Sequence, residues 1–376
     1  MSTARGDGAL RWAEIDVAAL AGNAEVIAAL VRPARVMAMV KSNGYGHGIG
    51  IAARAALDGG AEWLGVYTPQ EALGLRADGF VAPILVVGWS PPATLGDLIA
   101  AGVDVSVLDA GGIRAVAASA QGRRARVHLK IDTGLHRLGA LPETVGTLIE
   151  AVRETGDRVE VAGVFTHFAD AGEDPAFTIT QHGRFLEAVE ALSPVAPEAL
   201  LHTSGSAAIL AHPAMHHDLV RAGIAFYGYP PVPGPASLRP AMSVFCRVAQ
   251  VRTVASGESV GYGRTWRAET TRRIATATLG YGQGLPRALS NRGHLGIRGG
   301  RCPIVGIVSM DQVGVDVSDV EGVVVGDSAM FIGSHHGIRI GADEVGELVG
   351  TLPHEILCGI SAGIPRHPAV TPAALP

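Results

Sequence analysis

An α/β fold, a (β/α)8 TIM barrel followed by a C-terminal, mainly antiparallel β-domain, is predicted by three observations. Eight apolar runs of strand length alternate with alanine- and leucine-rich helical stretches over roughly 200 residues. The alternation stops at "YPPVPGPASLRP", residues 229–240, where five prolines in twelve residues exclude both helix and central strand. Beyond that segment, β-branched runs separated by turn residues take over. The 376 residues therefore read as two domains, a barrel over 1–235 and a β-domain over 236–376.

The barrel strands follow in order as "VMAMV" (36–40), "WLGVY" (63–67), "ILVVG" (84–88) and "VDVSVL" (103–108), then "RVHLKI" (126–131), "VAGVF" (161–165), "ALLHTS" (199–204) and "LVRAGIAFYG" (219–228). Each is a short apolar run bounded by turn residues, the pattern of a strand buried on both faces. Helical spacing fills the gaps, as in "IGIAARAALDGG" and "PQEALGLRADG", the latter ending on glycine as helix C-termini often do. In the second domain "VFCRVAQVRTVASGESVGYG", "RRIATATLGYGQG" and "CPIVGIVSMDQVGVDVSD" read as antiparallel strands. No fixed-period repeat is present, and the only biased segments are the proline-rich linker and the "HPAVTPAALP" tail.

Composition removes several classes of function. The chain is 48% hydrophobic with mean hydropathy +0.28, yet no apolar run reaches the roughly 20 residues of a membrane span. A net charge of −5 and the absence of a lysine and arginine stripe argue against nucleic acid. The densest basic run, "GRRARVHLK", reads as a solvated loop leading into a strand. The N-terminus lacks a signal-peptide core, and three scattered cysteines, Cys246, Cys302 and Cys358, suit a reducing compartment. The expected location is the cytoplasm.

The candidate chemistry begins at "VMAMVKSNGYGHGIG", where Lys41 closes an apolar strand before a glycine-rich turn. A phosphate loop of the GxxxxGK type is excluded, because it needs its glycines before the lysine. A surface lysine or a buried, nucleophilic Schiff-base lysine both remain open from this segment alone. A barrel, however, gathers the C-terminal ends of its strands onto one face. Lys41 and Tyr45 follow the first strand, Arg137 the fifth ("KIDTGLHRLG") and His167 the sixth ("VFTHFAD"). His202 and Ser206 ("LHTSGSAA") belong to the seventh, and Arg221 and Gly223 ("VRAGIAFYG") to the eighth. Singly, such histidines read as core residues and Arg221 as half of an ion pair. Together, with a Gly/Ser loop where barrels commonly hold phosphate, they point to a phosphorylated cofactor.

These segments are similar to those of the alanine racemases, pyridoxal 5'-phosphate enzymes with a barrel and a C-terminal β-domain. "MVKSNGYGHG" resembles the cofactor-lysine signature, and "KIDTGLHRLG", "HFAD", "VRAGIAFYG", "VGYG", "LGYGQGLPR" and "SMDQ" resemble further blocks in the same order. The resemblance implies that Lys41 carries the cofactor covalently, that Tyr45, Ser206, Gly223 and Ile224 hold its phosphate, and that Arg221 faces the pyridine nitrogen. A permanently protonated guanidinium leaves that nitrogen unprotonated and blunts the electron sink.

Racemisation also needs an acid/base on each face of the substrate Cα. The resemblance makes these Lys41 and Tyr262, the latter from the second subunit of a homodimer. A phenol near its ordinary pKa of about 10 is a poor base, and the family places His167 and Arg221 behind this tyrosine to stabilise the phenolate. Arg137 is implied to bind the substrate carboxylate, supported by Lys130 as a carbamate. Tyr281, Met310 and Asp311 are implied to line the substrate end from the partner. Two departures stand out: Ser309 replaces a usual cysteine, and Ala362 in "ISAGIPR" replaces a usual tyrosine, which puts strict alanine specificity in doubt. The expected activity is alanine racemisation, with a broader alanine/serine racemase as its variant. A barrel-fold decarboxylase usually has an acidic group at the ring nitrogen, and non-catalytic pyridoxal-phosphate carriers lack the β-domain.

Overall fold

A computed structural model describes residues 8–369. The last residues of the biased tail, 370–376, and the first seven of the N-terminus lie outside the described part.

The first strand, β1 (Arg11–Asp16), is followed by eight that form one parallel sheet: β2 (Arg35–Met39), β3 (Trp63–Val66), β4 (Ile84–Val86), β5 (Asp104–Val107), β6 (Ala125–Lys130), β7 (Val159–Phe165), β8 (Leu200–His202) and β9 (Leu219–Ala222). Sequential neighbours pair from β2 to β8, and β9 pairs with β2, for example Val36 opposite Val220. Between β8 and β9, backbone bonds from Asp218 N to Leu201 O (3.1 Å) and from Arg221 N to Ser204 O (2.9 Å) bring the two ends of the sheet together as a barrel. Strands β3, β4, β5 and β9 are buried at every position, as parallel strands under a helical layer must be. Leu64, Ile84 and Leu85 are fully buried, each contributing about 1.5–3 kcal/mol of apolar transfer.

The helix Pro69–Ala77 begins with a reciprocal cap between Thr68 and Glu71, and Gly79 at φ +84° follows its end. The eighth strand is shorter than expected. It stops at Ala222, because from Gly223 the chain turns through bonds from Phe226 N to Gly223 O and from Tyr227 N to Ile224 O. Tyr227 is fully buried, and its hydroxyl donates to Met39 O (2.9 Å) at the end of β2.

The second unit is built from β10 (Met242–Val254), β11 (Ser259–Val260), β12 (Trp266–Arg267), β13 (Arg272–Ala277), β14 (His294–Ile297), β15 (Gly300–Val305), β16 (Val313–Asp316), β17 (Ser328–His335), β18 (Ile338–Ile340) and β19 (Arg366–Ala369). Nine of the described strands join in one sheet, ordered β18, β17, β14, β15, β16, β13, β10, β1, β19, and all neighbours run antiparallel except β1 with β19. Here the 1–235/236–376 division needs correction. Residues 11–16 and 45–48 belong to the β-unit, and the barrel unit ends at Arg239. The physical reason is that "RWAEID" pairs antiparallel with β10 and buries Ala13 and Ile15 completely.

Candidate active site

Lys41 stands two residues past Met39, the last residue of β2, with Val40 between them. The turn Lys41–Tyr45 is helical in its bonding, with Gly44 N donating to Val40 O, but Ser42, Asn43, Gly44 and Tyr45 have φ of 54°, 55°, 62° and 48°. It is a left-handed turn, costing about 1–2 kcal/mol for each non-glycine residue. Side chains hold it there. Glu71 Oε1 accepts from Ser42 N (2.6 Å) while its Oε2 accepts from Tyr67 N and Thr68 N, and Asn43 Oδ1 accepts from Ile49 N (3.0 Å). Strain fixed in this way at a strand end is common at functional sites. Lys41 Nζ lies 5.8 Å from the centroid of the Tyr67 ring.

Around it the barrel gathers cations. Arg221 is buried on β9. Its Nη1 donates to His202 O (2.8 Å) and His202 Nδ1 (3.0 Å), and its Nη2 donates to Thr166 O, Thr203 O and His167 Nδ1 (3.1 Å). These bonds commit both terminal nitrogens and leave Nε out. Burial lowers the guanidinium to about 9, which keeps it charged at neutral pH. A guanidinium only donates, so both facing imidazole nitrogens must be acceptors. Burial, then Arg221, Arg137, Lys130 and Lys41, press His167 down to about 3, and burial followed by Arg221 holds His202 well below its ordinary value.

Lys130 is 6% exposed and lowered to about 8 by burial and by Arg137 and Arg221, with Asp132 a partial offset. Among the described residues Lys130, Arg137 and Arg221 form no ion pair with a carboxylate. Phe165 serves as a shared apolar plate: its ring stacks on His202 (4.7 Å, 6°), with Lys130 Nζ at 5.6 Å and Arg221 at 5.4 Å. The exposed Arg137 sits on a loop shaped by Asp132, which accepts from the backbone N–H groups of Gly134, His136 and Arg137. Although burial pushes Asp132 upward, those three donors hold it below the usual carboxylate range.

Ser206 Oγ accepts from Gly223 N (3.0 Å) and Ala225 N (3.2 Å), which keeps its own O–H available to donate beside Ile224. A Cβ on neighbouring Gly205 would come within 3.2 Å of His167 Cε1, so glycine lets that ring close over the loop.

The β-unit carries the other candidates. Tyr45 is buried, its ring 6.0 Å from that of His354, and burial and then Cys358 raise its phenol well above the ordinary value, so it keeps its proton. Tyr262 is 72% exposed on a short turn between Gly261 and Gly263. Tyr281 and Met310 are also exposed, and their loops are locked by bonds from Tyr281 N to Ser309 O (3.0 Å) and from Gly282 N to Met310 O (2.9 Å). Asp311 accepts from Gln283 Nε2 (2.8 Å) and pairs with Arg11 (3.5 Å). Ala362 is exposed in a turn joined to the same region by Ser361 N donating to Gln283 O (3.3 Å). Thus Lys41, Lys130, Arg137, His167, His202, Ser206, Arg221, Gly223 and Ile224 belong to the barrel, and Tyr45, Tyr262, Tyr281, Met310, Asp311 and Ala362 to the β-unit.

Sequence reasoning missed Glu71, His128 and Asp104. A signal for His128 existed in "RVHLK", since it stands two residues before Lys130 and so on the same side of β6.

A barrel with a lysine-led, cation-rich set of strand ends, carried with a strand-rich second unit, defines a two-domain barrel enzyme. Residues 15–231 match the model of the alanine racemase N-terminal domain, and residues 241–368 that of the C-terminal domain. An alanine racemase of Symbiobacterium thermophilum is 42% identical over 364 residues, covering 94% of this chain and 96% of the relative. The crystal structure of alanine racemase from Streptomyces lavendulae superposes with a TM-score of 0.89 at 36% identity, covering 97% of each chain. That from Bartonella henselae, described with covalently bound pyridoxal phosphate, gives 0.87 at 27% identity, covering 96% of this chain and 99% of the other. The chain belongs to the alanine racemase family and is an enzyme of the isomerase class.

Proposed function

We propose that this enzyme interconverts L- and D-alanine with pyridoxal 5'-phosphate, as a cytoplasmic homodimer that supplies D-alanine for a bacterial cell wall. The supporting observation is the charge balance of the barrel site. Among the described residues Lys130, Arg137 and Arg221 have no ion-paired carboxylate, the histidines beside Arg221 are held neutral, and Asp132 offsets Lys130 only in part, so the site carries an excess of positive charge. A phosphorylated cofactor and an amino-acid carboxylate supply the missing negative charge. The donor set fits them: Lys41 for covalent attachment, Tyr45, Ser206, Gly223 and Ile224 for the phosphate, His167 beside the ring, Arg221 Nε for the ring nitrogen with His202 supporting it from behind, and Arg137 for the substrate carboxylate.

When bound, the cofactor withdraws electrons from the substrate Cα and acidifies its hydrogen. This chain's residues then move the proton. Lys41 Nζ takes or returns it on one face, and Oη of Tyr262, from the partner subunit, does so on the other. Tyr281, Met310 and Asp311, also from the partner, bound the substrate and exclude water, which strengthens each charged contact. Because Ala362 leaves a small side chain where the family has a tyrosine, serine is a second substrate on this reading.

The test is racemisation of purified protein against single L-amino acids, with borohydride reduction to locate the cofactor. Alanine turnover and labelling of Lys41 are expected. No turnover, or labelling of another lysine, overturns the reading.

A further inference from the structure

Behind Arg221 runs a buried chain of polar groups that the proton transfers do not use. Arg221 Nη1 faces His202 Nδ1 at 3.0 Å, His202 Nε2 faces His128 Nδ1 at 2.8 Å, and His128 Nε2 faces Asp104 Oδ2 at 3.2 Å. His128 and His202 are fully buried and Asp104 is 4% exposed, so solvent does not substitute for any member. The two ends of the chain decide its direction. Arginine has no acceptor and an ionised carboxylate no donor. His202 therefore accepts at Nδ1 and donates from Nε2, and His128 does the same, with every N–H pointing towards Asp104.

We infer that Asp104 and His128 are positioning residues for Arg221, fixing through His202 which ring nitrogen meets the guanidinium. Arg221 favours the same direction from its own end, but without the terminal acceptor the His128 Nε2–H is a buried donor with no partner, and His128 relieves that by carrying its proton on Nδ1. His202 would then protonate at Nδ1 and set an N–H against Arg221 Nη1–H, two buried donors with no acceptor between them. The arginine side chain would turn to escape that contact, and its Nε would turn with it.

The surroundings hold the chain in register. Arg126 Nε donates to both oxygens of Asp104 (3.2 and 3.3 Å) while its Nη1 binds Glu160 (2.6 Å). Trp63 packs edge-on to His128 at 5.7 Å, and Phe165 stacks on His202. A Cβ at Gly163 would overlap the His128 ring, so glycine there makes the space that the ring fills.

The catalytic weight of this inference rests on the reading of Arg221 as the cofactor-facing group; the tautomers do not. The experiment is long-range proton–nitrogen NMR on protein labelled at histidine, with and without pyridoxal phosphate, for wild type, Asp104→Ala and Asp104→Asn, beside alanine kinetics. The wild type should hold His128 and His202 as Nε2–H tautomers. Asp104→Ala should bring up an Nδ1–H signal on His202 and lower kcat by about 10–100-fold with little change in KM, the scale known for removing the partner that orients a metal-ligating histidine. Asp104→Asn, whose amide oxygen still accepts, should restore the tautomers and most of the rate. An Nδ1–H tautomer on His202 in the wild type overturns the proposal, as do unchanged tautomers and kcat in Asp104→Ala. If that variant fails to fold, the wild type and Asp104→Asn still decide. Nε2–H tautomers in a protein that racemises nothing would sink the functional reading and leave this one standing.

Discussion

At the scale of single residues, Lys130 is the group whose charge suits its surroundings least. It is buried, it faces Arg137 and Arg221, and its pKa falls to about 8. An unmodified lysine so placed weakens folding at every pH below about 8, and that loss is recovered as pH rises towards its ordinary value near 10.4. At pH 7 roughly one molecule in ten carries the neutral amine, the form that adds carbon dioxide. The ammonium first gives up one proton, the N–C bond forms as a C=O π bond of carbon dioxide opens, a second proton leaves to solvent, and the former cation ends as an anion able to accept from Arg137. Intact mass under mild conditions should show one added carbon dioxide, and chloride or acetate should revive Lys130→Ala; an unmodified ammonium in a crystal structure refutes this. Ala362 makes the opposite argument, from what is missing. A lost hydrogen bond to a charged phosphate weakens binding by about 1.5–3 kcal/mol, roughly 10–100-fold in cofactor affinity. Ala362→Tyr should therefore tighten the cofactor and raise kcat/KM for alanine over serine. A wild type inactive on serine, together with an unaltered variant, shows that another side chain fills the space.

At the scale of elements, close packing of loops sets where the candidates point. Gly280 has an ordinary extended φ of −147°, so the case for glycine there is purely steric: a Cβ would overlap the carbonyl oxygens of Ser309 and Met310. Gly280→Ala must push apart the loops bearing Tyr281 and Met310. It should cost about 1–3 kcal/mol in a urea titration and raise KM for alanine, and a variant matching wild type in both measurements contradicts the argument. The elements themselves were largely legible, because parallel strands buried on both faces announce themselves as apolar runs, as "WLGVY" and "ILVVG" do. Strand β1 was not. "RWAEID" is short and mixed, and its partner β10 lies more than 200 residues away, a pairing that no local pattern reveals. The site divides along the same line. Lys41, His167 and Arg221 were legible because a barrel brings its strand ends together, whereas Glu71 acts through a helix cap and Asp104 through two intervening rings, roles visible only as contacts.

At the scale of the whole molecule, the two sets of candidates belong to different units of one chain, and Tyr262 stands out in solvent. A tyrosine 72% exposed between two glycines of positive φ is poorly explained as a packing residue of its own domain. Tyr281 and Met310, on loops bonded to each other, add exposed apolar surface to the same unit. In the proposed homodimer each barrel is completed by the partner's β-domain, and a two-fold axis then makes two equivalent shared sites. Lys41→Ala and Tyr262→Phe should each be inactive as homodimers. Mixed in equal amounts and allowed to exchange subunits, they should form heterodimers as half of the population, each with one site intact and one doubly defective. Activity should rise to about one quarter of wild type. Two inactive proteins that stay inactive after verified subunit exchange mean that Lys41 and Tyr262 of one chain serve the same site, and the shared-site reading falls.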